Sequence, residues 1–224
     1  MVSTERGSQI AKFLAMSKHL AQNERNSLCD LFDQVGPSHP TLCEGWNTAE
    51  LAAHLIIRER SIKALGLVMT GYPAKKLAEA TKRLAEKKPF DQLVNKVRLG
   101  PPFYLKGIDG AMNLFEFFVH HEDVLRNEKN PDPRNDISEL DEAIWKRQSG
   151  FSKLLIRGLK DIDLTLSRPS GETIHVGGGG RPVVAHGAPT EIALYLFGRR
   201  KYSQIELSGD PDAIREMETG QLGG

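Results

Sequence analysis

The sequence predicts an α-rich chain in two parts, a helical bundle over residues 1–160 followed by a small α/β domain over residues 161–224. Three observations carry this. Up to residue 159 apolar residues recur at three- and four-residue steps, the period of an amphipathic helix. Beyond Lys160 the period drops to two, as in half-buried strands. Clusters of Gly and Pro separate the helical stretches from one another. A chain of 224 residues is long enough to bury a core in each part.

The first helix spans residues 8–35, with Ile10, Phe13, Leu14, Leu20, Leu28, Leu31, Phe32 and Val35 on one face. Gly36-Pro37-Ser38-His39-Pro40 ends it, because each proline lacks a backbone donor and restricts the residue before it. A second helix starts near Asn47. The Asn47 side chain can cap the free amides while Glu50 reaches back as the other half of a capping box. Leu51, His54, Leu55, Arg58, Ile62 and Leu65 follow at helical spacing, and Gly71 and Pro73 stop the helix. Residues 75–88, rich in Lys, Ala and Glu, predict an exposed helix whose charges are solvated. Further helices are expected over residues 109–127, closed by Asn130-Pro131-Asp132-Pro133, and over 138–159.

Strands are then expected at Ile162, Leu164 and Leu166, at Thr173 to Val176, and at Pro182 to Ala185. The four glycines 177–180 lie between two strands and predict a flexible hairpin rather than a phosphate cradle, since no helix follows to offer its N-terminus. Residues 188–198 return to helix, 204–207 form a strand, and 210–218 a last helix.

Composition narrows the partners. Thirty basic residues stand against 29 acidic ones. With no long block of one sign, neither a nucleic-acid nor an anionic-membrane role has electrostatic support, and a small-molecule partner is expected. No run approaches the length of a membrane span, and no apolar signal segment follows the N-terminal charges, so a cytoplasmic protein is expected. Cys29 and Cys43 form no C-x-x-C pair and fit a reducing compartment, where thiols need carry no role. The oligomeric state is left open.

The helix at 109–127 holds the chemistry. On a wheel of about 100° per residue with Met112 at zero, Asp123 falls near 20°, Glu116 near 40° and His120 near 80°. His121 falls near 180°, on the opposite side. The rest of the circumference is apolar, with Leu114, Phe115, Phe117, Phe118, Val124 and Leu125. A helix so apolar is largely buried, and its polar stripe must face solvent or be compensated inside. A metal ion is one compensation, because Glu and His at i and i+4 reach the same point from successive turns.

Taken alone, that spacing is weak and is better served by a solvent-facing stripe or a histidine bonded to the glutamate. His54, on a second helix, is read either as a satisfied core histidine or as the third ligand of a two-His, one-carboxylate site. Such a set suits zinc first, with nickel, iron or manganese as alternatives. Asp123 is placed either to orient His120 or move a proton, or in a salt bridge with Arg126 or Arg58. Trp46, just before the capped helix, has packing as its default role.

The run from Thr41-Leu42-Cys43-Glu44-Gly45-Trp46 through His54-Leu55 resembles the tryptophan-to-histidine motif of the mycothiol-dependent maleylpyruvate isomerase family. Phe115-Glu116-Phe117-Phe118-Val119-His120-His121-Glu122-Asp123-Val124 resembles that family's second metal motif, and the tail from about Asp161 its small sterol-carrier-protein-like domain. The resemblance implies a DinB-like four-helix bundle in which His54, Glu116 and His120 bind zinc. It implies an open position for mycothiol, the low-molecular-weight thiol of actinobacteria, and an enzyme of the isomerase or S-transferase type acting on a small electrophile. It also implies an arginine supporting the thiol, matched by Arg199 in Leu196-Phe197-Gly198-Arg199-Arg200, although an arginine after a helix is also a partner for its C-terminal dipole. Two other functions fit the same residues: a hydrolase that uses metal-bound water, and a non-enzymatic metal-binding, stress-related protein.

Overall fold

The computed structural model describes residues 2–43, 45–60, 74–101, 110–127, 133–135, 137–177 and 179–222. By packing, the chain forms two compact units, Met1–Lys129 and Asn130–Gly224.

The first unit is helical: α1 (Val2–Val35), α2 (Thr48–Arg60), α3 (Ala74–Lys87), α4 (Phe90–Leu99) and α5 (Gly110–Leu125). α1 packs on α5 and α4, and α2 on α3 and α4. Between them lies a core of Leu28, Phe32, Leu51, Leu55, Leu93, Val97 and Phe117. The first half of α2 follows its sequence signals. Asn47 Oδ1 accepts from the Glu50 amide at 3.0 Å, and the Asn47 amide donates to Glu50 Oε2 at 2.9 Å. The expected continuation through Ile62 and Leu65 to Gly71 lies outside the described residues. α4 is an element the apolar period does not mark. It has ten residues, follows Pro89, lacks a side-chain cap, and buries Leu93, Val94 and Val97.

The loop between α1 and α2 is built to hold a fixed shape. Gly36 leaves α1 at φ +80°, a conformation that favours glycine, and its amide returns to Phe32 O at 3.0 Å. Thr41 ties the far side, its hydroxyl donating to Trp46 O at 2.9 Å. The Leu42 amide donates to Asp123 O at 2.9 Å, which pins the loop to α5.

The second unit comprises α6 (Ser138–Leu155), β1 (Ile162–Ser167), β2 (Thr173–Gly177), β3 (Arg181–Gly187), α7 (Pro189–Leu196), a 3-10 turn at Arg200–Tyr202, β4 (Ile205–Gly209) and α8 (Pro211–Thr219). The sheet order is β2-β1-β3-β4, with β1 parallel to β3 and the other pairs antiparallel. α6 packs on β2 and α7, while α7 and α8 pack on β3 and β4. Ile162, Leu164, Leu166, Val176, Val183 and Ala185 form the covered face. The change of period after Lys160 sets an expected boundary there; packing groups α6 with the sheet.

The hairpin expected at glycines 177–180 is not formed. β2 and β3 flank β1 on opposite sides, so these two strands do not pair with each other as a hairpin would. Arg181 N bonds to Asp161 O at 2.9 Å, and a Cβ on Gly180 would lie 2.2 Å from the Asp161 carbonyl carbon. Glycine is needed there for close backbone approach. Among the described residues, no helix is long and apolar enough to cross a membrane.

Candidate metal centre

α5 carries its polar stripe into the interior of the first unit. Glu116 Oε1 is the point of convergence: His120 Nε2 lies 3.1 Å away, Arg58 Nε 3.2 Å and His54 Nε2 3.4 Å. One ligand atom from each of His54, Glu116 and His120 falls within 4.8 Å of the others. His121 lies off this stripe and meets Glu24 on α1, its Nδ1 3.1 Å from Oε2.

Asp123, fully buried, sits behind His120 with Oδ2 2.9 Å from Nδ1. A carboxylate there holds the Nδ1 proton and turns Nε2 toward Glu116. Arg126 pairs with Glu122, and Arg58 with Glu116. Trp46 lies against the His54 ring, the centroids 4.8 Å apart and tilted by 44°, and so limits how that imidazole can rotate.

The electrostatics follow from burial and neighbours. Burial pushes His54 below its ordinary value and outweighs the opposing pull of Glu116. For Glu116, burial acts upward, but Arg58 and His120 hold the carboxyl well below the usual range. For His120, burial acts downward and is outweighed by Cys43, Glu116 and the hydrogen bond to Asp123, which keep it well above the usual imidazole range. The cluster thus offers a neutral imidazole, an ionised carboxylate and a second, oriented imidazole that gives up its Nε2 proton when a cation binds. These are donors that suit a borderline divalent cation.

Four of the five residues singled out from sequence, His54, Glu116, His120 and Asp123, are brought together in this unit. Arg199 belongs to the other unit, just after α7, where its Nη1 donates to Phe197 O at 2.6 Å, as a C-terminal dipole partner would. Two further residues of the cluster are not among the ligands or catalytic residues of the sequence reading. Cys43 carries no role there, yet its thiol donates to Asp123 Oδ2 at 3.1 Å and lies 3.7 Å from His120 Nδ1. With His120 and Asp123 it forms a second group of potential ligands on the other nitrogen of the same ring. Arg58 enters from sequence only as an alternative partner for Asp123. Its position four residues after His54 is the signal that places it on the same stripe of α2.

No family model matches the sequence, and no curated protein does. Among solved structures the chain is similar to a mycothiol-dependent maleylpyruvate isomerase, at a TM-score of 0.56, and to a histidine-to-alanine mutant of such an isomerase, at 0.59. Each is 17% identical and the match covers 88% of this chain and 94% of that one. At that identity the likeness speaks for the fold, and the fold of this chain is that of the mycothiol-dependent maleylpyruvate isomerase structures, a helical bundle followed by a small α/β unit.

Proposed function

We propose that this chain is a metal- and thiol-dependent enzyme of the isomerase or S-transferase type. In this reading His54, Glu116 and His120 hold one divalent ion, zinc in the first instance, and a low-molecular-weight thiol, mycothiol, reacts there with a small electrophile. The observation that carries it is the convergence of those three ligand atoms within 4.8 Å, on a fold shared with mycothiol-dependent isomerases.

The donor set fits an ion. His54 presents a neutral imidazole, and its buried Nδ1 has no partner in the cluster. Such an ion supplies a Lewis acid that lowers a bound thiol's pKa enough to expose the thiolate, the reactive form. The chain's own residues do the positioning. Asp123 holds the Nδ1 proton of His120, Trp46 braces the His54 ring, and Arg58 keeps Glu116 ionised. Arg199 is assigned to support of the thiol. Maleylpyruvate is the substrate named for the similar proteins; one fold hosts many reactions, so only the electrophile's chemistry is proposed here.

Elemental analysis of the purified protein and its His54→Ala variant is the first test, with metal expected in the former and lost in the latter. Equal, near-zero metal in both removes the metal from the reading. Thermal shift with mycothiol against cysteine and glutathione follows. Saturation at 100 times the dissociation constant stabilises by about 2.7 kcal/mol. A metal-loaded protein with a flat thiol response is instead the hydrolase or the non-enzymatic binder, and an Arg199→Ala variant with an undiminished response takes Arg199 out of the role.

A further inference from the structure

His120 has a carboxylate on each of its ring nitrogens. Glu116 Oε1 lies 3.1 Å from Nε2, and Asp123 Oδ2 lies 2.9 Å from Nδ1. The function proposed above places its ion on the Nε2 side alone. On the Nδ1 side the Cys43 thiol completes a second set, with Sγ 3.1 Å from Asp123 Oδ2 and 3.7 Å from Nδ1. A sulfur, an aromatic nitrogen and a carboxylate oxygen from three residues therefore lie within 4.8 Å of one another.

The spacing suits a cation. Neighbouring ligand atoms of a tetrahedral zinc site lie about 3.3–3.6 Å apart, given bonds of about 2.3 Å to sulfur and about 2.0–2.1 Å to nitrogen or oxygen, and slightly further apart around a larger ion. At 2.9, 3.1 and 3.7 Å, the cluster has to open by less than about 1 Å to take an ion in. The backbone holds Cys43 in place for this. The Leu42 amide donates to Asp123 O at 2.9 Å, the Cys43 amide to Thr41 Oγ1 at 3.2 Å, and the Trp46 amide to Cys43 O at 2.9 Å. Asp123 is fully buried and Cys43 half-buried, so Cys43 is the member that meets solvent, and a bare ion needs no cavity to reach it. Loss of the thiol and Nδ1 protons leaves a thiolate, a carboxylate and a neutral imidazole, and the two negative charges cancel a divalent cation where an uncompensated charge would be costly. The His54, Glu116 and His120 set brings one carboxylate, which Arg58 already pairs. Sulfur makes the Cys43 set the softer of the two.

We propose that Cys43 Sγ, His120 Nδ1 and Asp123 Oδ2 form a second cation site, selective for a soft divalent ion. The two sites draw on one ring. A neutral imidazole has a single free nitrogen, so an ion on Nδ1 leaves the remaining proton on Nε2, held by Glu116, and displaces an ion bound there. A soft cation thereby empties the first centre; that consequence rests on the function proposed above, while the site itself does not.

The test uses the full chain after dialysis against a chelator. Its probes are cadmium as the soft ion and manganese, which favours oxygen and nitrogen donors. Cadmium should produce a thiolate-to-metal charge-transfer band in the ultraviolet that saturates at one equivalent. Cys43→Ser should lose the band and bind cadmium at least about tenfold more weakly, while taking manganese as the wild type does. His54→Ala should keep the band and lose manganese, and Cys29→Ala should change neither. Cadmium should also expel manganese from the wild type, read as the return of the free-ion signal in electron paramagnetic resonance. The site is overturned if the wild type shows no band or if the band survives in Cys43→Ser. Manganese retained beside bound cadmium overturns the sharing of His120. If Cys43→Ser does not fold, cadmium NMR of the wild type decides, and a resonance typical of nitrogen and oxygen ligands alone rules the thiolate out. A protein that takes cadmium through Cys43 but takes no manganese keeps this site and loses the first; the opposite pattern loses this site alone.

Discussion

Both units of this chain bury an apolar core, and they differ in how much charge each buries with it. The interior of the helical unit is charged in pairs and clusters: Arg25 with Glu59, Arg126 with Glu122, His121 with Glu24, and the group around Glu116. The interior of the α/β unit is an apolar layer of Leu164, Leu166, Val183, Ala185, Ile192 and Leu196 under three helices. There the exacting positions are steric, where backbone crosses backbone. Buried charges pay for themselves poorly as a source of stability, since removing a charge from water offsets most of what its partner returns. They are concentrated in the unit that holds the candidate metal centre.

The sharpest break of that comparison is at Arg25 and Glu59. A Glu59→Leu substitution strands a buried guanidinium and should cost about 3–5 kcal/mol, read by urea unfolding. Replacing both partners, Arg25→Met with Glu59→Leu, should recover most of the loss. A single variant within about 1 kcal/mol of wild type would mean that this pair is solvated in practice and that the units do not differ as described.

The matching test in the α/β unit is Gly180→Ala. The new Cβ would meet the Asp161 backbone at 2.2 Å, so β3 must shift against β1. A loss of about 1–3 kcal/mol is expected, as for an overpacked site. The same substitution at Gly150, where nothing lies within 4 Å, should not destabilise and serves as the control. Equal effects at the two positions would show that the crossover tolerates a side chain.

The two units also differ in how much of them the sequence displays. Periodicity marks α1, α2, α5 and the strands, because burial of one face is written into the residue order. It does not mark α4, whose ten residues carry neither cap nor long repeat. Alternation shows which residues of β1, β2 and β3 face inward, but not which strands are neighbours, so four glycines that read as a hairpin turn out to lie between strands on opposite sides of β1. At the candidate site, the wheel puts Glu116, His120 and Asp123 together and His121 apart, because one helix fixes all four. The engagement of Cys43 and Arg58 depends on which elements face each other, a tertiary matter that neither spacing nor propensity encodes.

The smallest effect expected separates two thiols within the helical unit itself. Cys29 is fully buried between α1 and α4, its Sγ 3.8 Å from Val94 O. Burial pushes its pKa up to about 12, against only partial opposition from Arg98 and Arg25. At pH 8 its thiolate fraction is then on the order of one in ten thousand, and the thiolate is the attacking species. Cys43 is half-buried, in the polar cluster beside Asp123. An aromatic disulfide reagent at pH 8 should therefore modify one equivalent of thiol in the native protein and the second only in denaturant. The same shift has a sign for stability. Cys29 binds its proton more tightly folded than unfolded, so what its neutral form contributes is complete below pH 9 and declines as the pH rises toward about 12. A Cys29→Ala variant should lose that alkaline slope while Cys43→Ala keeps it. If both thiols of the native protein react at one rate, the apolar core under α1 opens as readily as the polar cluster, and the contrast between charged and apolar interiors no longer describes how this unit moves.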